Sequence, residues 1–582
     1  MSRRRRSTYT RYVRRNWFAR NKVLIIIISA FIVLALAAGA FFMIRNLMQR
    51  QQESGIEYVA MKPASIPTVS MIYDNYQVNV LHGYTQEMDV HYIRRNLYLL
   101  EDTYNIPIQI DLYGNTVRAV NYRVVDAEED NLIQNGTTED LEKDEDILRC
   151  SIRIDNLIDD YREYVLDIIL DTEKQEGIHY YVRIRRDAST ALKGHIEMAL
   201  NINKCIYNAG DDESKQYIAD IMESRYWLAD NADLSVVTLY STLSNMTWGK
   251  MNVSMLKDPE IEILDVDGEI GYIRLNYLVS RKEGESNEYY RVSEYYRLRL
   301  TDSYAYVLNY ERKADQAFDP YLEGTIGVRS AKLGVISNKS ISMMCNKSGT
   351  LSCFVADNTL WAMDTDTKTL KRIFSFASGI NDDRGSYRQH NIKIIDVSDD
   401  GDIQFVVYGY MNAGLHEGRA GVAMYSYDSE TEEVAEKIFI PANIPYEILK
   451  NSVGSLFHYG DNNNLYIMMD QFLYRLDLGG DEAVLVASGL VENTYVIHTD
   501  SNLIAWQEDG KVNDAKKITV LNMDNDTTYT VTAAPGSCIK VLGFLNQQLV
   551  YGQGKAAAYR ASRADGPCPG KRQEFSGLGR PF

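Results

Sequence analysis

The residue types that carry out catalysis form no recognisable motif in this sequence. It contains no HExxH, G-x-S-x-G, Walker A or Rossmann glycine pattern, and no S-x-x-K with its companion motifs. No histidine is followed by another four residues later, the spacing that places two metal ligands on one helix face. The eight are His82, His91, His179, His195, His390, His416, His458 and His498. We therefore predict no catalytic, metal-binding or cofactor-binding residue, and no cofactor.

Four tyrosines could bind a sugar, because an aromatic ring offers an apolar face with a polar edge. They are Tyr289, Tyr290, Tyr295 and Tyr296, all within one predicted strand. Tyrosine is also frequent in strands for packing reasons alone. The packing role is the favoured interpretation, and sugar stacking stays open as the alternative.

Two acidic stretches could bind a cation. Residues 126–146 hold ten acidic residues and one lysine, and Asp265-x-Asp267-Gly268 looks like the start of a calcium loop. Neither stretch completes the D-x-D-x-D-G pattern that such a loop requires. We therefore predict a solvated connection between strands at 126–146, and a tight hairpin turn at Asp267-Gly268.

The cysteines are few and widely spaced, without a CxxC pair or a Cys/His cluster of zinc spacing. They are Cys150, Cys205, Cys345, Cys353, Cys538 and Cys568. Cys345 and Cys353 could bridge adjacent strands in an oxidising compartment, but free buried thiols are the favoured interpretation. Such sparse cysteine outside a membrane suits a bacterial protein, in particular a Gram-positive one, better than a eukaryotic secreted protein.

One uncharged apolar segment is long enough to cross a membrane. Val23 to Ile44 would form a helix of ~33 Å against a hydrocarbon core of ~30 Å. The 22 residues before it carry nine arginines and lysines and no acid, and the basic side of such a helix stays in the cytoplasm. We predict a cytoplasmic segment at 1–22, a transmembrane helix at 23–44 that contacts the lipid bilayer, a tether at 45–67, and an extracytoplasmic remainder at the cell membrane.

A cleaved signal peptide is the alternative to this anchor. Ala38-Gly39-Ala40 resembles a signal-peptidase site, and Arg14-Arg15 resembles a twin-arginine signal. The apolar run continues beyond that site to Ile44, whereas the apolar region of a cleaved signal is shorter. We therefore favour an uncleaved anchor.

The charge of the remainder excludes one class of function. The whole chain has a formal charge of −18, and residues beyond 22 carry 53 basic against 80 acidic side chains. A surface this acidic repels a phosphate backbone. We predict that the protein does not bind nucleic acid.

Short alternating strands dominate the first half of the predicted exterior. They predict a β-sandwich-like domain at 68–187, in which the spacing of Ile93, Leu97 and Leu100 predicts one helix from Met88 to Tyr104. Helices predicted at 189–204 and 212–227, followed by four strands up to residue 310, indicate an α+β domain at 188–312.

A repeated unit follows at 322–554. Its clearest copies are the segments Leu360–Asp364, Met424–Asp428, Leu473–Asp477 and Val520–Asp524. The last three aspartates are 49 and 47 residues apart, and the first gap is 64, which an insertion at Ser378–His390 would explain. A period near 45 with four short strands is typical of propeller blades. At such turns aspartate satisfies backbone amides, and we favour that role over cation binding.

These repeats resemble blades of the TolB-like and WD-repeat propeller superfamilies, although the GH…WD signature is absent. The resemblance implies a β-propeller, and a function in binding other proteins or, in some members, catalysis. In its overall organisation the chain resembles uncharacterised single-pass membrane proteins of Gram-positive bacteria.

The last 28 residues differ in composition from all that precedes them. Residues 555–582 contain five Ala, four Arg, four Gly and three Pro, with one Leu and no Val or Ile. Our hypothesis is that this tail is out of frame or otherwise foreign and that the propeller is truncated. A natural disordered tail is the alternative.

The predicted fold class is thus mostly β: a transmembrane helix, a β-sandwich-like domain, an α+β domain and a truncated β-propeller. The leading functional hypothesis is a non-enzymatic, single-pass extracytoplasmic protein of the cell envelope. It would bind, sense or scaffold an envelope or membrane protein partner. The alternative is a cell-envelope enzyme that acts on glycan and carries a propeller domain.

Overall fold

The computed structural model describes residues 56–58 and 62–555. It leaves out, within this range, residues 139, 156–157, 188–190, 209, 222–232, 285, 302, 323–324, 326–329, 339, 380–381, 461, 480–481, 499 and 501. The predicted cytoplasmic segment, the transmembrane segment at 23–44, most of the tether and nearly all of the tail lie outside the described residues. Among the helices that are described, none combines the length and the apolar character needed to span a membrane.

The first half of the chain forms a unit that we call the body, residues 62–317. Its strands, together with one strand from the tether, are β1 (Ile56–Tyr58), β2 (Thr68–Tyr73), β3 (Tyr76–His82), β4 (Leu97–Leu100), β5 (Asn105–Asp111), β6 (Val117–Asp126), β7 (Asn131–Thr138), β8 (Glu142–Asp144), β9 (Ile147–Arg153), β10 (Glu163–Thr172), β11 (Ile178–Arg186), β12 (Val236–Thr238), β13 (Val253–Met255), β14 (Glu260–Asp267), β15 (Ile270–Glu283), β16 (Ser286–Leu300) and β17 (Ala305–Gln316). Its helices are α1 (Leu192–Tyr207), α2 (Asp212–Ile221) and α3 (Leu243–Met246).

Two sheets build the body. The short sheet has the order β4-β11-β10-β6-β7, and the long sheet has the order β12-β17-β16-β15-β14-β3-β2-β5-β9-β8, with β13 paired to β15. One hydrophobic core extends from Ile66 to Ala314. Both the long sheet and this core therefore continue across residues 187 and 188, where we placed a domain boundary.

Asn79 shows how the two parts of the body are joined. Its side chain is fully buried; the amide Nδ2 donates to the carbonyl of Leu97, and Oδ1 accepts from the backbone N–H of Ile263. The side chain thus completes hydrogen bonding between β3, β4 and β14, as buried backbone groups require. Asn79 also has a φ of +54°, which asparagine tolerates better than most residues.

The predicted helix from Met88 to Tyr104 is wrong. A short 3-10 turn at Val90–Tyr92 is followed by strand β4, which pairs in parallel with β11. All four residues of β4 are buried. A strand buried on both faces is a continuous apolar run, and a short run of this kind matches helical and strand spacing equally well.

The acidic stretch 126–146 is largely exposed, as predicted, but it is not simply a connection. It contains β7 and β8, which pair with β6 and β9. The other predicted elements of the body agree better with the structure. Helix α1 and the strands β14 to β17 lie where alternation and helical spacing indicated, and Gly268, with a φ of +56°, forms the tight turn between β14 and β15.

The second half of the described chain is a succession of four-stranded antiparallel sheets, a propeller-like arrangement in which we call each sheet a blade. The strands are β18 (Met343–Cys345), β19 (Leu351–Ala356), β20 (Thr359–Asp364), β21 (Leu370–Phe374), β22 (His390–Val397), β23 (Ile403–Tyr410), β24 (Ala420–Asp428), β25 (Glu433–Pro441), β26 (Phe457–Tyr459), β27 (Asn464–Met469), β28 (Phe472–Asp477), β29 (Ala483–Ala487), β30 (Tyr495–His498), β31 (Leu503–Gln507), β32 (Lys517–Asn522), β33 (Thr527–Thr532), β34 (Ser537–Leu545) and β35 (Gln548–Lys555). Each blade is a meander of consecutive strands, and helix α4 (Tyr446–Ser455) connects the second to the third.

The four repeated segments of the sequence are the third strands of blades 1 to 4, and β34 and β35 form a separate hairpin after them. The tether strand β1 adds a fifth strand to blade 1, where it pairs in parallel with β21.

The turn role is confirmed for three of the four repeated aspartates. In each, the carboxylate accepts from backbone amides two or three residues further on: Asp364 from Asp366 and Thr367, Asp428 from Glu430 and Thr431, and Asp477 from Gly479. Asp524 differs, because its carboxylate accepts from the side-chain amide of Asn502 and bonds His458 Nε2 at 2.9 Å. It therefore joins blades 3 and 4.

Candidate functional site

A cavity of ≈ 230 Å³ lies where the body meets blade 1, and we call it the junction cavity. Four parts of the chain line it: strand β16, the segment that follows β17, blade 1, and the loop 375–389 between blades 1 and 2, which we call the junction loop. The lining residues are Tyr289, Arg291, Ala317, Phe318, Asp319, Pro320, Tyr321, Asp357, Asn358, Thr359, Trp361, Arg372, Ser375, Ala377, Gly379, Gly385, Ser386 and Arg388.

Asp357 connects three of these four parts. It begins the two-residue turn between β19 and β20, in which Asp357 and Asn358 both have positive φ, +47° and +55°, the pattern of a type I′ hairpin. The Asp357 carboxylate accepts from Arg291 Nε of the body at 3.1 Å and from the guanidinium of Arg388 in the junction loop. Burial opposes its ionisation, but the two guanidinium groups hold the pKa of Asp357 below its usual range.

Hydrogen bonds hold the described residues of the junction loop, on either side of 380–381. The Asp382 carboxylate accepts from the backbone N–H groups of Ser378 and Gly385, each at 2.9 Å. Asn412 of blade 2, itself buried, donates to the carbonyls of Gly385 and Tyr387. A side chain at Gly385 would place its Cβ 2.8 Å from the carbonyl oxygen of Phe376. The walls of the cavity are therefore preformed.

Aromatic side chains form the apolar part of the lining. The ring of Phe318 packs edge-to-face against Trp361, with centroids 5.1 Å apart. Trp361 is 5% exposed, and its indole N–H has no hydrogen-bond partner in the part of the chain that the structure describes. A buried indole N–H normally finds a partner, so this donor is the least satisfied group of the lining.

The four tyrosines considered for sugar stacking divide by the alternation of β16. Tyr290 and Tyr296 point into the core, and their hydroxyls donate to Glu288 and Glu294. Tyr289 lines the junction cavity, and Tyr295 lines a second cavity. The packing role is thus confirmed for two, while the other two reach surfaces that a ligand could contact.

The second cavity, of ≈ 680 Å³, is a groove beside the β14–β15 turn. It contains the Asp265-x-Asp267-Gly268 sequence considered for calcium. Asp265 lies instead 3.6 Å from Arg185, which also pairs with Glu163 at 3.0 Å. Among the described residues, no group of three or more His, Cys, Asp or Glu side chains is arranged to hold a metal ion.

No cysteine or histidine is among the residues that line the junction cavity. Cys345 lies opposite Ser352 in the β18–β19 pair, and Cys353 lies opposite Met344; both are free thiols in the described structure. The disulfide alternative is therefore not realised there. His179 Nδ1 bonds the buried Asp167 at 3.0 Å, which agrees with a strand residue rather than a ligand.

A broad interface fixes the body to the first two blades. His82 of β3 stacks on Tyr387 of the junction loop with ring centroids 3.6 Å apart, and the Tyr410 hydroxyl donates to the carbonyl of Gly83 at 2.7 Å. The Glu417 carboxylate accepts from the backbone of Ser65 and Ile66.

Sequence reasoning found Tyr289 and the insertion that forms the junction loop, but it missed Arg291, Asp357 and Arg388. These residues are far apart in the chain, and only the fold brings them together. The one local signal was Asp357-Asn358, because both residue types tolerate the positive φ of a type I′ turn.

Comparisons with known proteins identify no family. No protein-family model matches the chain, and no curated protein matches it. Similar solved structures include Porphyromonas gingivalis dipeptidyl peptidase 4, at 11% identity over 51% of this chain and 43% of that one, with a TM-score of 0.24. A tricorn protease is 10% identical and is matched over 89% of this chain and 43% of its own, with a TM-score of 0.20. The WD40 domain of SCAP from fission yeast is 10% identical and is matched over 52% of this chain and 64% of its own, with a TM-score of 0.21.

This chain spans less than half the length of the two peptidases. TM-scores this low do not establish a shared fold or activity.

Proposed function

We propose that this protein is a single-pass, membrane-anchored binding protein of the cell envelope. Residues 23–44 cross the cell membrane with the N-terminus in the cytoplasm, and the body and blades lie outside. The blades and the final hairpin belong to a β-propeller. Together with the body they bind or sense a ligand, or act as a scaffold for an envelope or membrane protein partner, without catalysis.

The junction cavity is the observation that carries this proposal. Ligand sites are concave, largely preformed, and lined by aromatic side chains with a few polar groups, and they occur preferentially where two units of a protein meet. The junction cavity has these properties, since Phe318 and Trp361 supply apolar walls and the junction loop is held by Asp382 and Asn412.

The ionisation of Asp357 argues against this carboxyl group as the general acid of a glycosidase. A glycosidase needs one carboxyl group that stays protonated near neutral pH to act as the general acid. Asp357 is instead held ionised by Arg291 and Arg388, which lower its pKa, and both guanidinium groups occupy its oxygens. This carboxylate is suited to structural support of the cavity rather than to proton donation.

Exposure of Cys345 allows the location to be tested. Cys345 is exposed, whereas Cys150, Cys353 and Cys538 are buried, and burial raises the pKa of Cys150 and Cys353 to about 12. Only thiolates react with maleimides at a useful rate. In a background in which Cys205 and Cys568 are replaced by serine, Cys345 is therefore expected to be the reactive thiol.

The full chain is expressed in intact bacterial cells and treated with a membrane-impermeant maleimide. We expect labelling before permeabilisation, and its loss in the matched Cys345→Ser variant. Labelling that appears only after the cells are permeabilised would place the body in the cytoplasm and refute the proposed location.

A further inference from the structure

The beginning of strand β17 forms an open edge of the long sheet. β17 pairs with β16 along its whole length, but on its other side β12 covers only Glu311–Lys313. One further backbone hydrogen bond, from Leu239 to the carbonyl of Tyr310, continues this contact. Among the described residues, no strand pairs with Ala305–Asn309 on the side away from β16. Such an edge presents unpaired N–H and C=O groups to a further strand.

Large apolar side chains are concentrated at this open edge. Tyr304 is 65% exposed, Tyr306 48% and Leu308 40%, and Tyr240, which follows Leu239, is 40% exposed. The rings of Tyr304 and Tyr306 lie 6.1 Å apart. We call Tyr240, Tyr304, Tyr306 and Leu308 the apolar edge. Single apolar residues on a surface are ordinary, whereas a group of them at one place indicates an interaction site.

The usual protection of a sheet edge is lacking here. Residues 303–309 contain no charged residue, no proline and no glycine, although charges and proline are what normally prevent an edge from pairing. The strand at the opposite end of the same sheet, β8, has the exposed and charged sequence Glu-Lys-Asp. A β-bulge at Leu308 interrupts the ladder with β16, but Ala305–Val307 pair regularly. These three residues therefore keep a straight edge.

Two outer strands of the blades are also uncharged and serve as comparisons. β29 exposes two large apolar side chains, Val484 and Leu485, and β33 exposes one, Tyr529. The outer strand of blade 2, β25, contains Glu433, Glu436 and Lys437, and that of blade 1 is covered by β1. The apolar edge thus offers more apolar surface than any of these strands.

Charge favours a second copy of this chain as the occupant of the apolar edge. The chain has a formal charge of −18, so two copies repel each other over most of their surfaces. The charges that flank the apolar edge are paired within the chain: Arg299 with Glu269 at 2.8 Å, and Lys313 with Glu311 at 2.6 Å. Two acidic chains can therefore approach each other at this neutral place, whereas a basic partner would be attracted to the acidic surface elsewhere.

An antiparallel arrangement makes the apolar edge complementary to itself. With a two-fold axis at Tyr306, this residue lies opposite its own copy, and Tyr304 lies opposite Leu308 of the second copy. Aromatic residues opposite one another or opposite other apolar residues are favourable cross-strand pairs. Because the contact is two-fold symmetric, it closes after two copies and leaves neither edge open.

We propose that the apolar edge joins two copies of this chain through antiparallel pairing of β17. At ~200 Å² per tyrosine, the exposed fractions of Tyr304 and Tyr306 correspond to ~230 Å². Even with the rest of the edge, this is well below the ~800 Å² that each partner buries in a stable complex. The dimer is therefore reversible and of modest affinity. The inference concerns a different surface from the junction cavity and does not depend on a ligand there.

The test cross-links the purified full chain in detergent micelles through single cysteines. The variant is Tyr306→Cys, in a background without other accessible thiols, in which serine replaces Cys205, Cys345 and Cys568. In an antiparallel pair centred on residue 306 the two Cα atoms lie about 4.5–5.5 Å apart, which a disulfide spans. Leu485→Cys in β29 and Tyr529→Cys in β33 are matched controls, because both residues are about half exposed on uncharged outer strands.

Mild oxidation at ~100 μM protein, a concentration suited to weak association, is expected to link Tyr306→Cys at least ~10-fold faster than either control. Adding Tyr304→Lys and Leu308→Lys places like charges opposite each other across the two-fold axis and is expected to slow this cross-linking ~10-fold. The same two lysines at Val484 and Leu485 control for the change in net charge and leave the rate of Tyr306→Cys undiminished. Urea unfolding reports whether each variant is folded.

Three results would overturn the inference. They are equal cross-linking rates at all three cysteine positions, faster cross-linking at a blade position, and an undiminished rate in the folded variant with Tyr304→Lys and Leu308→Lys. If this lysine variant does not fold, the comparison of the three cysteine positions decides alone. A purified chain that forms no cross-link at residue 306 also refutes the dimer, since the apolar edge would then belong to another protein or to lipid. The Cys345 labelling experiment tests the location separately.

Discussion

Removal of the Asp357 charge tests whether this carboxylate fastens blade 1 to the body. We choose Asp357→Asn because asparagine tolerates the positive φ of the type I′ turn and keeps one acceptor oxygen. The change therefore isolates the charge, whereas alanine would add backbone strain of about 1 kcal/mol or more.

The expected magnitude follows from burial and from the remaining partners. Loss of one partner of a buried ion pair costs about 3–5 kcal/mol, but Asp357 is 16% and Arg291 22% exposed, so water partly screens the charges. Arg388 also keeps its ion pair with Asp315 at 3.1 Å. Arg291, which pairs with no other carboxylate among the described residues, loses its ion pair. We expect the free energy of unfolding to fall by about 2 kcal/mol, below the range for full burial.

The assay is urea unfolding of the full chain in micelles, combined with a double-mutant cycle of Asp357→Asn and Arg291→Gln. Contacting residues are expected to show a coupling energy of about 0.5–3 kcal/mol. Arg118→Gln, on the exposed surface of the body, is the matched control and should not couple to Asp357→Asn. If the two junction substitutions are additive within ~0.5 kcal/mol, the carboxylate does not connect the body to the blade and the reasoning fails.

Three further predictions concern residues outside the cavity. His390 is buried, and burial lowers the pKa of its imidazole to about 4. In the unfolded chain the imidazole takes up a proton near pH 6.5, so the free energy of unfolding falls as the pH decreases from ~6.5 to 4. The expected loss is about 2 kcal/mol at pH 5. His390→Gln should reduce this slope in urea titrations at several pH values, and an unchanged slope would contradict the assignment. Asn79→Ala leaves the N–H of Ile263 and the carbonyl of Leu97 without their partner, so we expect the free energy of unfolding, measured in urea, to fall by about 2–4 kcal/mol. A decrease below ~0.5 kcal/mol would show that water replaces the amide. Gly409→Ala would place a Cβ 2.3 Å from the carbonyl oxygen of Gln389 at a φ of +126°, so the melting temperature of this variant should fall clearly. The control Gly454→Ala, where nothing lies within 4 Å of the added Cβ, should not lower the melting temperature comparably. Equal melting temperatures of the two variants would contradict the close approach.

Local patterns in the sequence predicted elements better than they predicted contacts. Alternation located β14 to β17, and the repeated aspartates located the third strands of the blades. The apolar residues around Leu97 were misassigned because a strand covered on both faces lacks alternation. The success at β14 to β17 and the error at Leu97 thus follow from whether one face of the strand meets water, whereas the third strands of the blades were located by their repetition.

The candidate site was only partly accessible to such reasoning. Tyr289 stood out by residue type, and the long gap between Asp364 and Asp428 indicated the insertion that forms the junction loop. Arg291 and Arg388 resemble any surface arginine in sequence, and 97 residues separate them. Their shared partner Asp357 is recognisable only after the body and blade 1 have been placed against each other.

The pairing of β1 with β21 has a consequence for solubility. A final strand of a sheet leaves a row of N–H and C=O groups that can recruit a strand from another molecule. In blade 1 the chain covers three residues of that row with Ile56–Tyr58, which pair with Leu370–Arg372. The segment that precedes the body thus also shields blade 1 from self-association, and its removal would expose an unpaired strand edge.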